Sequence, residues 1–130
     1  MLSDRERSRL RDMAGRMIPA DPARGLPAAS DRLILADIEK SIGRDLPLVR
    51  EALKGFDPGQ DINAWYASAG LSGRTLGRVV LAAYYRDDRV LIALGHEARA
   101  PFPKGYVVEQ GDWSLLEAVK RRPPFWRRDA

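Results

Sequence analysis

The sequence predicts a mainly α-helical domain of about five to six helices followed by an extended, aromatic and proline-rich C-terminal arm. Apolar residues recur at i, i+3, i+4 and i+7 through much of the first 95 residues, the spacing that lines one face of a helix. Alternating runs of strand length are lacking, apart from KGYVVEQGD, which could supply one short strand. From Tyr84 to Trp126 lie seven of the ten aromatic residues, mostly without either periodicity. Connections beyond roughly 12 to 15 residues without secondary structure tend to be functional or disordered, and disordered segments are poor in aromatics. The aromatic stretch therefore reads as a segment built to lie along a surface. With 130 residues and 45% hydrophobic content the chain suits one domain, read as a helical core over residues 1–95 and a partner-binding arm over 96–130 with a short terminal helix.

The first helix starts at Ser3, because Ser3 and Glu6 form a capping box in which hydroxyl and carboxylate each satisfy an amide left free at the helix start. Leu10, Met13, Ala14 and Met17 fall on one face, Asp12 and Arg16 are spaced for an i, i+4 pair on another, and Pro19 ends the element. The two methionines read as core filler. Residues 19–29, PADPARGLPAA, cannot continue a helix, since proline lacks the amide donor and clashes with the preceding turn. Ser30 is the expected cap of a second helix, with Ile34, Leu35, Ile38 and Ile42 as its buried stripe and Gly43 as a left-handed stop. Asp45 and Pro47 open a third, carrying Leu48, Val49, Ala52 and Leu53 and closed at Gly55.

FDPGQD then turns the chain, and residues 62–69 add a short helix bearing Trp65 and Tyr66. Leu76, Val79, Val80, Ala83 and Tyr84 give the strongest periodic signal, a wide apolar face on a helix entered at about Ser72 and expected to be the central core helix. Asp87 or Asp88 caps a further turn or two through Leu94, stopped at Gly95. Asp112 caps a last short helix, WSLLEAVKRR, closed by Pro123 and Pro124.

Chemistry is sparse along this chain. Without cysteine there is no disulfide or thiolate chemistry, and a single histidine, His96, leaves little for imidazole catalysis or a nitrogen-rich metal site. His96 beside Glu97 has the makings of an acid/base pair, yet it sits just past a helix stop with no Ser, Cys or second His nearby, and reads as a surface histidine. GLSGRTLG, residues 70–77, places glycines at a helix start where amides and the macrodipole favour an anion. It lacks the G-K-[ST] ending of a phosphate loop, and a turn with a helix start accounts for the same residues. A hard cation at Asp87 and Asp88 would compete with Arg86 and Arg89, so a cap with neighbouring ion pairs is expected. Catalytic, cofactor-binding and metal-ligating residues are accordingly expected to be none.

The net charge of +4 lies wholly in the second half: residues 1–65 carry 11 basic and 11 acidic side chains, residues 66–130 carry 11 and 7. That gradient favours an acidic partner surface but is too mild to imply nucleic acid without a matching motif. KRRPPFWRR sets five cations around Phe125 and Trp126, the mixture found in single-strand binders. No such fold signature accompanies it. Trp and Arg are also favoured in protein interface hot spots, so Phe125, Trp126 and Arg127 read as partner-binding, with a self-contained protein- or nucleic-acid-binding module as the alternative. No apolar run approaches the roughly 18 to 20 residues that span a bilayer, and the N-terminus lacks an apolar signal core. A cytoplasmic location is expected, or a periplasmic one if a signal was removed or export occurs with a partner.

Two blocks carry a family resemblance. LSDRERSRLRDMAGRMIPAD resembles the start of the gluconate 2-dehydrogenase subunit 3 family, in which a polar helix runs into an I-I-P-A-D-like stop, and YYRDDRVLIALGHEARAPFPKGY with DWSLLEAV and a Pro-aromatic-Arg end is similar to chains of that family. The resemblance covers the two ends of the domain, and about Gly55 to Leu71 anchors nothing. It implies a small, mainly helical, non-catalytic accessory subunit that helps a larger FAD-dependent dehydrogenase of the glucose-methanol-choline class to mature or be exported. FAD and the alcohol or sugar substrate would sit in that partner, often with a cytochrome c as acceptor. The partner-facing expectation falls on Pro101, Phe102, Pro103, Tyr106 and Trp113. The twin-arginine export signal common in the family is not seen in this sequence.

Overall fold

The computed structural model of the chain describes residues 1–98 and 111–123. Seven α-helices run through them: α1 Asp4–Met17, α2 Arg32–Ser41, α3 Leu46–Gly55, α4 Ile62–Ser68, α5 Gly70–Tyr84, α6 Asp88–Ala93 and α7 Glu117–Lys120. No strand occurs among the described residues, and the mainly helical class is the one the periodicity predicts. Two compact units divide the chain, Met1–Ala98 and Arg99–Ala130. Pro101, Phe102, Pro103, Tyr106, Phe125, Trp126 and Arg127 lie outside the described residues, as do residues 104–110 of the segment read as a possible strand.

Helix α1 begins as its capping box dictates. The Ser3 amide donates to the Glu6 carboxylate at 2.6 Å and the Glu6 amide donates to Ser3 Oγ at 3.3 Å. These bonds to Ser3, with Arg50 nearby, hold the Glu6 carboxyl below its ordinary range. Leu10, Met13 and Ala14 are buried, and Met17 packs half-buried beside them. The expected Asp12–Arg16 pair does not form. Arg16 instead reaches across to the Gln60 carbonyl, a backbone acceptor that ties α1 to the turn before α4.

The proline-rich connection is folded. Asp21 and Leu26 exchange backbone hydrogen bonds at 3.0 and 2.9 Å around a short 3₁₀ turn, Pro22–Arg24, with Gly25 at φ +70° closing it. The Tyr84 hydroxyl donates to the Pro27 carbonyl at 3.0 Å, pinning this connection to α5. The cap of α2 is Asp31, which accepts the Leu33 amide at 2.9 Å, and not Ser30. Ser30 is engaged elsewhere: it lies against Gly15 of α1, where an added Cβ would stand 2.9 Å from its Oγ.

Helix α5 is the core axis, packed against α2, α3 and α4, while α1 packs on α3 and α4. Leu76, Val79, Val80, Ala83 and Tyr84 are buried on it, meeting Ile34, Leu35 and Ile38 of α2 and Val49, Ala52 and Leu53 of α3 in one cluster. Phe56 and Trp65 meet edge to face, with centroids 5.7 Å apart. The helix starts at Gly70, two residues before the expected entry at Ser72, because only Ala69 separates it from α4 and Gly70, at φ +57°, makes the bend. Close approach continues along α5: an added Cβ would lie 2.5 Å from Ala69 Cβ at Gly73 and 2.8 Å from Tyr66 Cε2 at Gly77.

Candidate functional site

Of the residues expected to face a partner, Trp113 is the described one. Asp112 accepts the Ser114 amide at 2.9 Å and starts a 3₁₀ turn, Trp113–Leu116, that continues into α7. The Ser114 bonds hold the Asp112 carboxyl below its usual range. Lys120 closes the helix with a 3.0 Å pair to Glu117. What distinguishes the segment is where its apolar side chains stand: Trp113 is 64% exposed, Leu115 76%, Leu116 42% and Val119 56%. Leu115 and Leu116 lie four and three residues before Val119, so all three project from one side of the short helix. The other partner-facing candidates lie outside the described residues, so no assembled cluster with Trp113 can be drawn.

The other candidate motifs resolve into structural parts. His96 is exposed, and its backbone amide donates to the Leu91 carbonyl at 2.9 Å as part of the α6 terminus. Asp87 caps α6 through the Arg89 amide at 2.9 Å. Arg89 then bridges Asp31 at 2.7 Å and Asp87 at 2.9 Å, joining the start of α6 to the start of α2. Contact with this guanidinium is the main reason both carboxyls are held below their ordinary range. Arg86 binds Asp37 at 2.7 Å and Ser41 at 2.6 Å. No group of three His, Cys, Asp or Glu side chains able to hold a metal occurs among the described residues. In GLSGRTLG, Gly73 and Gly77 give α4 room against α5, and the Ser72 hydroxyl donates to the Ala69 carbonyl at 2.9 Å.

A second exposed apolar surface was missed by sequence reasoning. Tyr66 of α4 and Leu71, Leu81 and Tyr85 of α5 stand outside the core, with Leu71 66% and Tyr85 54% exposed. The signal was available: these three α5 residues fall off the buried stripe, on the face where a solvated helix carries charge.

No family model, curated protein or solved structure matches the chain. Among the described residues no helix is long and apolar enough to cross a membrane.

Proposed function

We propose that this chain is a non-catalytic accessory subunit that binds, and stabilises or matures, a larger FAD-dependent dehydrogenase acting on alcohols or sugars, a class that often uses a cytochrome c as electron acceptor. The observation that carries the reading is the row Leu115, Leu116 and Val119, three apolar side chains exposed together on a capped helical turn, beside the exposed Trp113. Apolar side chains exposed together in this way mark contact sites, and Trp is enriched where interface energy concentrates. Exposed Arg121 and Arg122 at the end of α7 would meet acidic rim residues and mainly speed association. The flavin stays with the larger subunit, and the sequence resemblance supplies the class of that partner.

The test is affinity purification of the tagged full chain from its native organism, with mass spectrometry and a flavin absorbance scan of the eluate. A stoichiometric flavoprotein whose recovery drops on Leu115→Ser with Leu116→Ser is the expected outcome. A lone monomer, a partner without flavin, or a chain that oxidises alcohols or sugars unaided would overturn the proposal.

A further inference from the structure

Helix α5 carries exposed apolar residues on the side opposite its core stripe. Its inner stripe closes the core, while Leu71, Arg74, Arg78, Leu81 and Tyr85 line its outer side over four turns, about 20 Å at 1.5 Å per residue. Tyr66 joins this outer face from α4, sharing one open groove of about 490 Å³ with Arg74, Arg78, Leu81 and Tyr85 and a second of about 280 Å³ with Leu81, Met17 and Ile62. Gly77 leaves room for the Tyr66 ring to lie against α5.

The charge on this face is one-sided. Its two cations are Arg74 and Arg78, and no carboxylate lines either groove. Arg78 is paired with Asp45 at the edge toward α3, whereas Arg74 donates to the Gly70 carbonyl, a neutral acceptor. We propose that the outer face of α5, with Tyr66, docks an amphipathic helix of a partner protein that sets Asp or Glu against Arg74 and its apolar side against Tyr66, Leu81 and Tyr85. A helix-long face that carries both apolar side chains and arginines matches an amphipathic helix laid along it. A second copy of the chain fits less well, because pairing α5 with itself about a two-fold axis brings Arg74 and Arg78 close to their like-charged mates. Nucleic acid would call for a longer row of unpaired cations on phosphates. The surface lies wholly within Met1–Ala98, and the inference does not depend on the partner being a flavoprotein.

The test pans the full chain against a phage-displayed library of random peptides of roughly 16 residues, enough for a helix spanning the stripe. Selected sequences should combine Leu, Phe or Trp at helical spacing with Asp or Glu, and a synthetic copy should bind the full chain in fluorescence anisotropy. Arg74→Glu should weaken that binding by about tenfold or more, the scale of an interface hot spot, and exchanging the peptide's acids for lysines should restore it. Tyr85→Ser and Gly77→Ala, which displaces the Tyr66 ring, should weaken binding while the circular dichroism melt stays cooperative. Absence of enrichment, selected peptides without carboxylates, or an affinity indifferent to both Arg74→Glu and Tyr85→Ser would overturn the proposal. So would a dimer in sedimentation that Tyr85→Ser dissolves, which would assign the face to a second copy, or binding of a single-stranded oligonucleotide that Arg74→Glu abolishes.

Discussion

The start of α2 and the segment leading into α7 are written alike. Asp31 accepts the Leu33 amide and Asp112 accepts the Ser114 amide, each at 2.9 Å. Apolar residues then follow at i, i+1 and i+4: Ile34, Leu35 and Ile38 in one, Leu115, Leu116 and Val119 in the other. The first trio is buried against α5, and the second stands exposed. Local sequence therefore explains why each helix starts and which side chains share a face, but it does not say what that face meets. Below roughly 12 residues a helix gains most of its stability from packing, so α7 alone is a marginal element, and the proposed partner would supply the packing that its apolar face lacks.

The contrast predicts unequal mutational effects, and the largest belongs to the core. Ile38→Ala removes a fully buried side chain and should cost about 2 to 5 kcal/mol in urea unfolding. A loss below about 1 kcal/mol would show that the α2–α5 contact is loosely packed. Gly73→Ala comes next. Its Cβ would collide with Ala69 Cβ, which moves only with the backbone, so overpacking of about 1 to 3 kcal/mol outweighs a propensity gain of up to about 1. Gly77→Ala meets the far end of the partly exposed Tyr66 side chain, which can swing aside, so the same substitution should be nearly neutral in a thermal melt.

The two aspartate caps sharpen the comparison through pH. Asp31 and Asp87 are held below their ordinary range by Arg89, so their contribution to stability is fully present above the unfolded value of about 3.9 and is lost as pH falls through the lower folded value. Asp31→Asn should flatten the acid arm of a stability profile below about pH 4. Asp112→Asn should leave that profile unchanged, because its cap serves only the short terminal helix. The smallest effect is expected for Leu115→Ser, within about 0.5 kcal/mol of the parent chain. A larger destabilisation would mean that this face is structural.

Much of the fold was legible because its signals are local. Ser3 with Glu6, the stripe Ile34, Leu35 and Ile38, and the α5 series from Leu76 to Tyr84 each depend on neighbours within one or two turns. What was misread depends on distant groups. Ser30 has the composition of a cap but is occupied by Gly15 of α1, so Asp31 takes the role. Arg16, spaced to pair with Asp12, donates instead to the Gln60 carbonyl of a distant turn. For the candidate site, sequence reasoning singled out Trp113 and placed its Asp112 cap, which is observed, but passed over Leu71, Leu81 and Tyr85, because attention to the buried stripe of a strongly periodic helix leaves its other face unread.

Amide hydrogen exchange on the full chain tests the central contrast most directly, first alone and then in the complex recovered with its partner. In the chain alone, amides of Ile38 and Val80 should exchange only through global unfolding, while those of residues 117–120 should exchange near the unprotected rate. In the complex the latter should slow by orders of magnitude. Protection of 117–120 at the global level in the chain alone would contradict the account and place the terminal helix in the protein's own core, and so would the same fast exchange with and without partner.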